Sequence, residues 1–164
     1  MTVWVRHEAA ARMVEAARSL YPLETGGVLL GWRDATDRIV VDLIGPGPCA
    51  LHGRHMFIPD HPWQLSHIRA AFAQSKGDLD YLGDWHSHPS GLAEMSAQDD
   101  RTLARLSRRV GGALMMIAAG ADDAWSFGAW SQRKLGLFSR AVTDPREVRV
   151  FTAPAGWPRY SAED

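Results

Sequence analysis

Residues 86–99 read His-Ser-His-Pro-Ser-Gly-Leu-Ala-Glu-Met-Ser-Ala-Gln-Asp. The preceding residues predict a strand, in which alternate side chains share a face, so His86 and His88 should project together at its C-terminal end. A helix is predicted to begin at Ser96, and the intervening turn lets it carry Asp99 back toward the two imidazoles. Two imidazoles and a carboxylate are ligands that hold a catalytic zinc ion and leave one coordination position for water.

The sequence on either side of this run predicts alternating strands and helices. Helices are expected over about 6–20, after Asp60, and from Ser96. Strands are expected at Gly26–Trp32, Arg38–Ile44, His55–Ile58, Leu79–His88, Gly112–Ala119, Trp125–Ser131 and about 147–153. We therefore expect an α/β (α+β) fold, with a mixed, mainly antiparallel central sheet flanked by helices. The predicted domain covers 1–153, and 154–164 is expected to be a tail.

The pattern of apolar residues also predicts what the elements bury. The helix after Asp60 is expected to bury Leu65, Ile68 and Phe72. A loop is expected from Gly45 to about Gly53, because Gly45-Pro-Gly-Pro48 breaks regular structure.

Composition excludes several classes of protein. The 164 residues are 46% hydrophobic and 23% charged, which is typical of a globular domain. A net charge of −1 gives no reason to expect a nucleic acid or an anionic membrane as the main partner. The weakly polar stretch Gly111–Ala121 is too short to cross a bilayer, and the N-terminus has no signal-peptide pattern. With one cysteine, Cys49, no internal disulfide framework is possible, and we expect a soluble cytoplasmic protein.

Ser96 and Asp99 have a second interpretation that does not involve catalysis. The pattern Ser96-Ala-Gln-Asp99 fits a helix capping box, in which the two side chains satisfy backbone N–H groups of the first turn. A cap and a catalytic role are compatible, since a serine hydroxyl can accept one hydrogen bond and donate another.

The run His86-x-His88-x7-Ser96-x2-Asp99 resembles the signature of the JAMM (JAB/MPN-type) zinc metalloproteases. These enzymes also have a glutamate near the end of the first helix, followed by a glycine-rich strand. The segment Tyr21-Pro-Leu-Glu24-Thr-Gly-Gly-Val-Leu-Leu-Gly31 is similar to that context, and the resemblance extends over about 6–131.

The resemblance implies a role for each motif residue. His86, His88 and Asp99 would bind one zinc ion, Glu24 would be the general base, and Ser96 would stabilise the tetrahedral intermediate. JAMM enzymes hydrolyse peptide or isopeptide bonds, commonly after the C-terminal Gly-Gly of ubiquitin or a ubiquitin-like protein. The short chain looks like the bacterial branch of the family. We expect the substrate tail to bind as an added strand on an exposed sheet edge, beside the Gly45–Gly53 loop.

Two alternatives remain at this point. A peptidase of the same chemistry could process a sulfur-carrier protein that ends in Gly-Gly, and the motif does not separate this activity from deconjugation. Some members of the wider MPN group are inactive scaffolds that bind partners only, although this chain retains all five motif residues.

Residues outside the motif are assigned more ordinary roles. Five histidines are expected at the surface or at helix caps: His7, His52, His55, His61 and His67. Asp84 and Ser87 adjoin the ligands, and either could hydrogen-bond to a zinc-bound imidazole. Trp85 should point to the opposite face of its strand.

Overall fold

The structure is a computed structural model, which describes residues 1–134 and 141–160. Nine strands and three helices occur in these residues. The strands are β1 (Thr2–Arg6), β2 (Gly26–Asp34), β3 (Asp37–Ile44), β4 (Leu51–His52), β5 (Phe57–Ile58), β6 (Asp80–Pro89), β7 (Leu114–Ala121), β8 (Ala124–Lys134) and β9 (Ala141–Phe151). The helices are α1 (His7–Ser19), α2 (His61–Gln74) and α3 (Ala97–Arg109). In the described part of the chain, no helix is long and apolar enough to cross a membrane.

Seven of the strands form one sheet, in the order β1-β3-β2-β6-β7-β8-β9, and the sheet closes on itself because β9 also pairs with β1. The pairs β1–β3, β1–β9 and β6–β7 are parallel, and the other pairs are antiparallel. Strands β4 and β5 form a separate antiparallel hairpin. The predicted mixed, mainly antiparallel sheet flanked by helices is confirmed.

The central strands β2, β6 and β7 separate the packing of α1 from that of the other two helices. Met13 of α1 packs on one face, in a cluster that includes Leu82 and Trp85 of β6. Ala71 of α2 and Leu103 of α3 belong to two other apolar clusters. Trp85 is 3% exposed in the cluster with α1, so it points away from the neighbouring His86, as the strand period predicts.

The predicted buried face of α2 is wrong in part. Leu65 is 47% exposed and Phe72 is 49% exposed, whereas Gln64 and Ala71 are buried. Ile68 does pack against the second cluster. The helix is rotated because Gln64 donates a hydrogen bond from its side-chain amide to the carbonyl of Gly45 at 2.9 Å, which satisfies a polar group on the buried side.

The ends of the chain contain more structure than the sequence predicts. Strand β1 was not predicted, and β9 begins six residues before the predicted strand at about 147. Strand β4 lies within the predicted Gly45–Gly53 loop. In the predicted tail, Trp157 and Tyr160 pack against the cluster under α2. The last four residues of that tail, 161–164, lie outside the described residues.

Candidate active site

Two of the predicted ligands lie at the end of β6. His86 pairs with Gly26 of β2 on one side and with Ile117 of β7 on the other, so the strand is fixed within the sheet. The Nε2 atoms of His86 and His88 are 3.1 Å apart. The Nδ1 of His88 lies 3.2 Å from the carbonyl oxygen of Leu92. If Nδ1 carries the proton and donates to that carbonyl, Nε2 is left as a free lone pair for a metal.

The third predicted ligand lies in the first turn of α3. The Oγ of Ser96 accepts a hydrogen bond from the Asp99 N–H at 3.2 Å, and the Asp99 carboxylate accepts one from the Ser96 N–H at 2.8 Å. The predicted capping box is therefore confirmed. It fixes the Asp99 side chain with one oxygen 3.2 Å from His86 Nε2 and the other 3.7 Å from His88 Nε2.

The three donor groups fit a zinc ion. One ligand atom from each of His86, His88 and Asp99 lies within 4.8 Å of the others. Zinc–ligand bonds of about 2.0–2.1 Å in a tetrahedron place neighbouring ligand atoms about 3.4 Å apart. The observed separations of 3.1, 3.2 and 3.7 Å lie around that value. Nitrogen and carboxylate donors at this spacing are a set that zinc accepts, and three protein ligands leave a fourth position.

Electrostatic interactions within the cluster also favour the metal-binding protonation states. Burial lowers the pKa of His88, and the nearby His86 lowers it further, so the neutral imidazole that binds metal is favoured. Burial alone would raise the pKa of Asp99, but the hydrogen bonds and charge of His86 and the hydrogen bonds of Ser96 lower it well below its usual range. Asp99 is therefore a carboxylate at neutral pH.

Glu24 lies in the loop between α1 and β2, where other segments hold its backbone. Its N–H donates to the carbonyl of Gly53 at 2.8 Å, and its carbonyl lies 2.9 Å from Nδ1 of His52. The next residue, Thr25, donates its N–H to Ser87 Oγ at 3.0 Å and accepts from the Ser87 N–H at 2.7 Å. Glu24 is thus tied to the ligand strand on one side and to the β4–β5 hairpin on the other.

Glu24 and the three predicted ligands line one cavity of about 770 Å³. Burial raises the pKa of Glu24, the charge of Asp99 raises it too, and His86 lowers it. A carboxylate with a raised pKa is a stronger base than one in water, which is the requirement for a general base. All five predicted site residues line this cavity, including Ser96.

Sequence reasoning overlooked residues that support this arrangement. Ser87 and His52 hold the backbone on either side of the Glu24 side chain, and neither was assigned a role there. For Ser87, the signal was its position between His86 and His88, because alternation along the strand puts its side chain on the face opposite the two imidazoles. For His52 there was no local signal, because the contact joins residues 28 apart in sequence.

The other predicted surface histidines differ in their surroundings. His55 and His61 line the cavity, and no role there was predicted for either of them. His67 lies near the hydroxyl of Tyr160 and against the ring of Trp63. Asp84 also lines the cavity, and burial raises its pKa to about 6.

The sequence matches a family model described as prokaryotic homologs of the JAB domain, over residues 6–130. The chain belongs to this prokaryotic JAB family. Its predicted resemblance to the bacterial branch of the JAMM (JAB/MPN-type) proteins is thereby confirmed.

Two relatives and one solved structure are similar to this chain. The chain is 30% identical, over 158 residues, to a probable metalloprotease, y4qB, of Sinorhizobium fredii; the match covers 91% of this chain and 96% of that protein. It is 30% identical over 104 residues to a CD-NTase/cGAS isopeptidase of Vibrio cholerae, a match that covers 62% of this chain and 65% of that protein. The fold is similar to the solution structure of protein DSY2949 from Desulfitobacterium hafniense, with a TM-score of 0.73 and 21% identity, over 95% of this chain and 97% of that one. The names of these prokaryotic JAB relatives support a hydrolase of the peptidase kind.

Proposed function

We propose that this JAB-family chain is a zinc-dependent peptidase or isopeptidase that cleaves after the C-terminal Gly-Gly of a ubiquitin-like protein. The observation that carries the proposal is the spacing of the donor atoms of His86, His88 and Asp99, with the Glu24 carboxylate in the same cavity. Relatives named metalloprotease and isopeptidase support the reaction class. A sulfur-carrier protein with the same Gly-Gly terminus is a substrate of the same chemistry, and we propose that the reaction takes place in the cytoplasm.

Each motif residue has a defined part in hydrolysis. His86, His88 and Asp99 would hold the zinc ion, which would supply a water of pKa about 7 and a Lewis acid for the scissile carbonyl. Glu24 takes the proton of the attacking water and passes it to the leaving nitrogen. Burial of Glu24 raises its pKa, which makes the carboxylate a better proton acceptor and its protonated form accessible for the second transfer.

Ser96 donates a hydrogen bond to the oxygen on which negative charge develops. Its Oγ accepts the N–H of Asp99 through a lone pair, so the hydroxyl proton remains available to a substrate in the cavity. Donors that are held in place before the reaction stabilise developing charge more than solvent does. The capping bond is what holds Ser96 in place.

The β4–β5 hairpin offers an edge for the substrate tail. Phe57, Ile58 and Pro59 line the cavity, and β5 pairs with β4 on one side only within the described residues. An extended tail can add to such an edge through main-chain hydrogen bonds. A Cβ on Gly26 would lie 2.3 Å from the carbonyl oxygen of Trp85 and 2.7 Å from the Phe57 ring, so the glycine permits this close approach of the hairpin to β2.

The proposal is tested by metal content and cleavage measured together. The chain is purified without chelator, zinc is quantified, and a ubiquitin-like protein encoded beside it is fused through its Gly-Gly to a reporter. Glu24→Gln is assayed in parallel as the matched variant, because it keeps the size and polarity of the side chain but cannot accept a proton.

The outcomes separate the competing functions. One zinc per chain, with cleavage after Gly-Gly by the parent only, supports the proposal. Equal cleavage by Glu24→Gln would remove Glu24 from the mechanism. A chain that neither retains nor takes up zinc, and cleaves nothing, would instead be a scaffold.

A further inference from the structure

Asp84 lines the cavity, two residues before His86 in β6 and on the same face of the sheet. Two residues of a strand span about 7 Å, so its carboxylate lies about that far along β6 from the imidazole of His86. Its partners in the sheet are Val28 of β2 and Met115 of β7, and these belong to the separate apolar clusters under α2 and α3. Asp84 therefore occupies the gap between the two helices.

Among the described residues, only one oxygen of this carboxylate has a hydrogen-bond partner. The Tyr81 hydroxyl donates to Oδ1 of Asp84 at 2.8 Å. Two other polar side chains that line the cavity bond elsewhere, since Gln64 donates to the Gly45 carbonyl and Arg105 donates to Thr102. His61 and His86 act on Asp84 through their charge and not through a hydrogen bond. A carboxylate between two apolar clusters loses free energy unless both oxygens are satisfied, so a donor that enters the cavity would be stabilised by the second oxygen.

The position of β5 indicates where a bound tail would lie relative to the second carboxylate oxygen of Asp84. Phe57 lies over Gly26, which pairs with His86, so β5 begins beside the ligands. The lining then continues through Pro59 to His61, which is close enough to Asp84 for its charge to act on that carboxyl group. If a tail follows β5 in extended form, the residue whose carbonyl is cleaved lies at the ligands. The residue two places earlier lies about 7 Å away, which is the separation of Asp84 from His86 along β6.

We propose that Asp84 binds a basic side chain, lysine or arginine, on the third residue before the scissile bond. This inference rests on the proposed function, since it assumes that a Gly-Gly tail lies along β5. The two glycines have no side chain, so the residue before them is the first whose side chain can reach Asp84. A lysine or arginine supplies the charged donor that the free oxygen of Asp84 lacks.

The test uses the Gly-Gly fusion substrate described above, with the residue before Gly-Gly changed in turn to arginine, lysine, glutamine, leucine and glutamate. For the parent chain we expect kcat/KM to be about 10- to 100-fold higher with arginine or lysine than with glutamine, which is the range for a hydrogen bond to a charged group. In Asp84→Asn this ratio should fall to near one, mostly through a higher KM for the basic substrates.

Two controls separate this role from a structural one. Asp80→Asn removes a carboxylate from the same strand, but Asp80 pairs with Arg33 at 3.0 Å and does not line the cavity, so the ratio should be unchanged. Zinc content should be the same in the parent and in Asp84→Asn, because no hydrogen bond joins Asp84 to His86 in the structure. Asp84→Ser provides a second charge-removing variant in case Asp84→Asn does not fold.

Each other outcome counts against a different statement. No preference for basic residues in the parent would overturn the inference, as would a preference that survives in both Asp84 variants. Loss of zinc in Asp84→Asn would also overturn it and would make Asp84 a support for His86. A parent that holds zinc but cleaves none of the fusions would overturn the proposed function, and the inference with it.

Discussion

The proposed metal-ligand cluster and the Glu24 loop line the same cavity, but they are built in opposite ways. His86, His88 and Asp99 come from one continuous segment of the chain, and two regular elements, β6 and the capped start of α3, set their positions. Glu24 lies outside any regular element, and two remote segments hold the backbone around it: Ser87 bonds to the backbone of Thr25, and the β4–β5 hairpin bonds to the backbone of Glu24.

This difference separates metal binding from turnover. The ligands depend on local structure, so damage to the cluster should remove the metal. The position of Glu24 depends on contacts between segments, so damage there should leave the metal in place and slow the reaction. The four predictions that follow test this separation, from the largest expected effect to the smallest.

Removal of a ligand should have the largest effect. His86→Ala or Asp99→Ala takes away one of three protein donors, so zinc per chain should fall from one to near zero and cleavage to background. Elemental analysis of the purified variants measures the first quantity and the fusion assay the second. His55→Ala is the matched control, since His55 lines the same cavity but does not belong to the donor cluster. Full zinc in Asp99→Ala would mean that the ion binds elsewhere.

Replacement of the base should lower turnover without loss of metal. Glu24→Gln removes proton transfer, which is worth about 10²–10⁴-fold in kcat. Glu24→Asp keeps the carboxylate but withdraws it by one methylene, so it should retain more activity than the glutamine variant. Steady-state kinetics and zinc analysis on the same preparations check both statements. Zinc loss from Glu24→Gln would contradict the separation of the two regions.

Ser96 caps the helix that carries Asp99 and is also the proposed oxyanion donor, and these two roles can be measured independently. Ser96→Ala should keep zinc, lower kcat about 10²–10³-fold through loss of the oxyanion donor, and cost about 1 kcal/mol through loss of the cap. Ser96→Asp restores a capping acceptor but donates no proton, so it should recover stability and not activity. Thermal unfolding measures the capping role and kcat measures the donor role. If Ser96→Asp recovered both stability and activity, Ser96 would act only as a helix cap.

The contact between the hairpin and Glu24 should have the smallest effect. His52→Leu removes the hydrogen bond to the Glu24 carbonyl, which is worth about 1 kcal/mol, so kcat should fall several-fold with full zinc retained. In His52→Asn the side-chain amide can replace Nδ1 as the donor, and this variant should stay near the parent. If both variants lose activity equally, the ring of His52 matters through its stacking on Phe57 rather than through the hydrogen bond.

The difference between the ligand cluster and the Glu24 loop also decides how much of the site could be predicted from the sequence. The ligand cluster lies within fourteen residues, and the periods of a strand and a helix suffice to bring it together. The family resemblance identified Glu24. The residues that hold the backbone around it, Ser87 and His52, could not be found from the sequence, because their hydrogen bonds join residues that are 62 and 28 positions apart. Asp84 was noticed beside the ligands, and only the sheet pairing places it between α2 and α3.

The errors in the predicted fold also arise from long-range contacts. The apolar positions of α2 predicted a buried face through Leu65 and Phe72, but the Gln64 side chain found a backbone partner at Gly45 and took the buried side instead. Strand β1 has only five residues and no hairpin partner, so nothing local distinguishes it. Its partners are the parallel strands β3 and β9.

The closure of the sheet through β1 has a consequence for how the chain acquires its structure. Thr2 to Arg6 pair with Glu147 to Phe151, so β1 needs the distant strand β9 to complete its hydrogen bonding. During translation, this edge of β1 stays unpaired until β9 has left the ribosome. Contacts between such distant residues are slow to form, because closing a long loop costs entropy before any contact forms that offsets it. The pairing of β1 with β9 should therefore be a late step of folding.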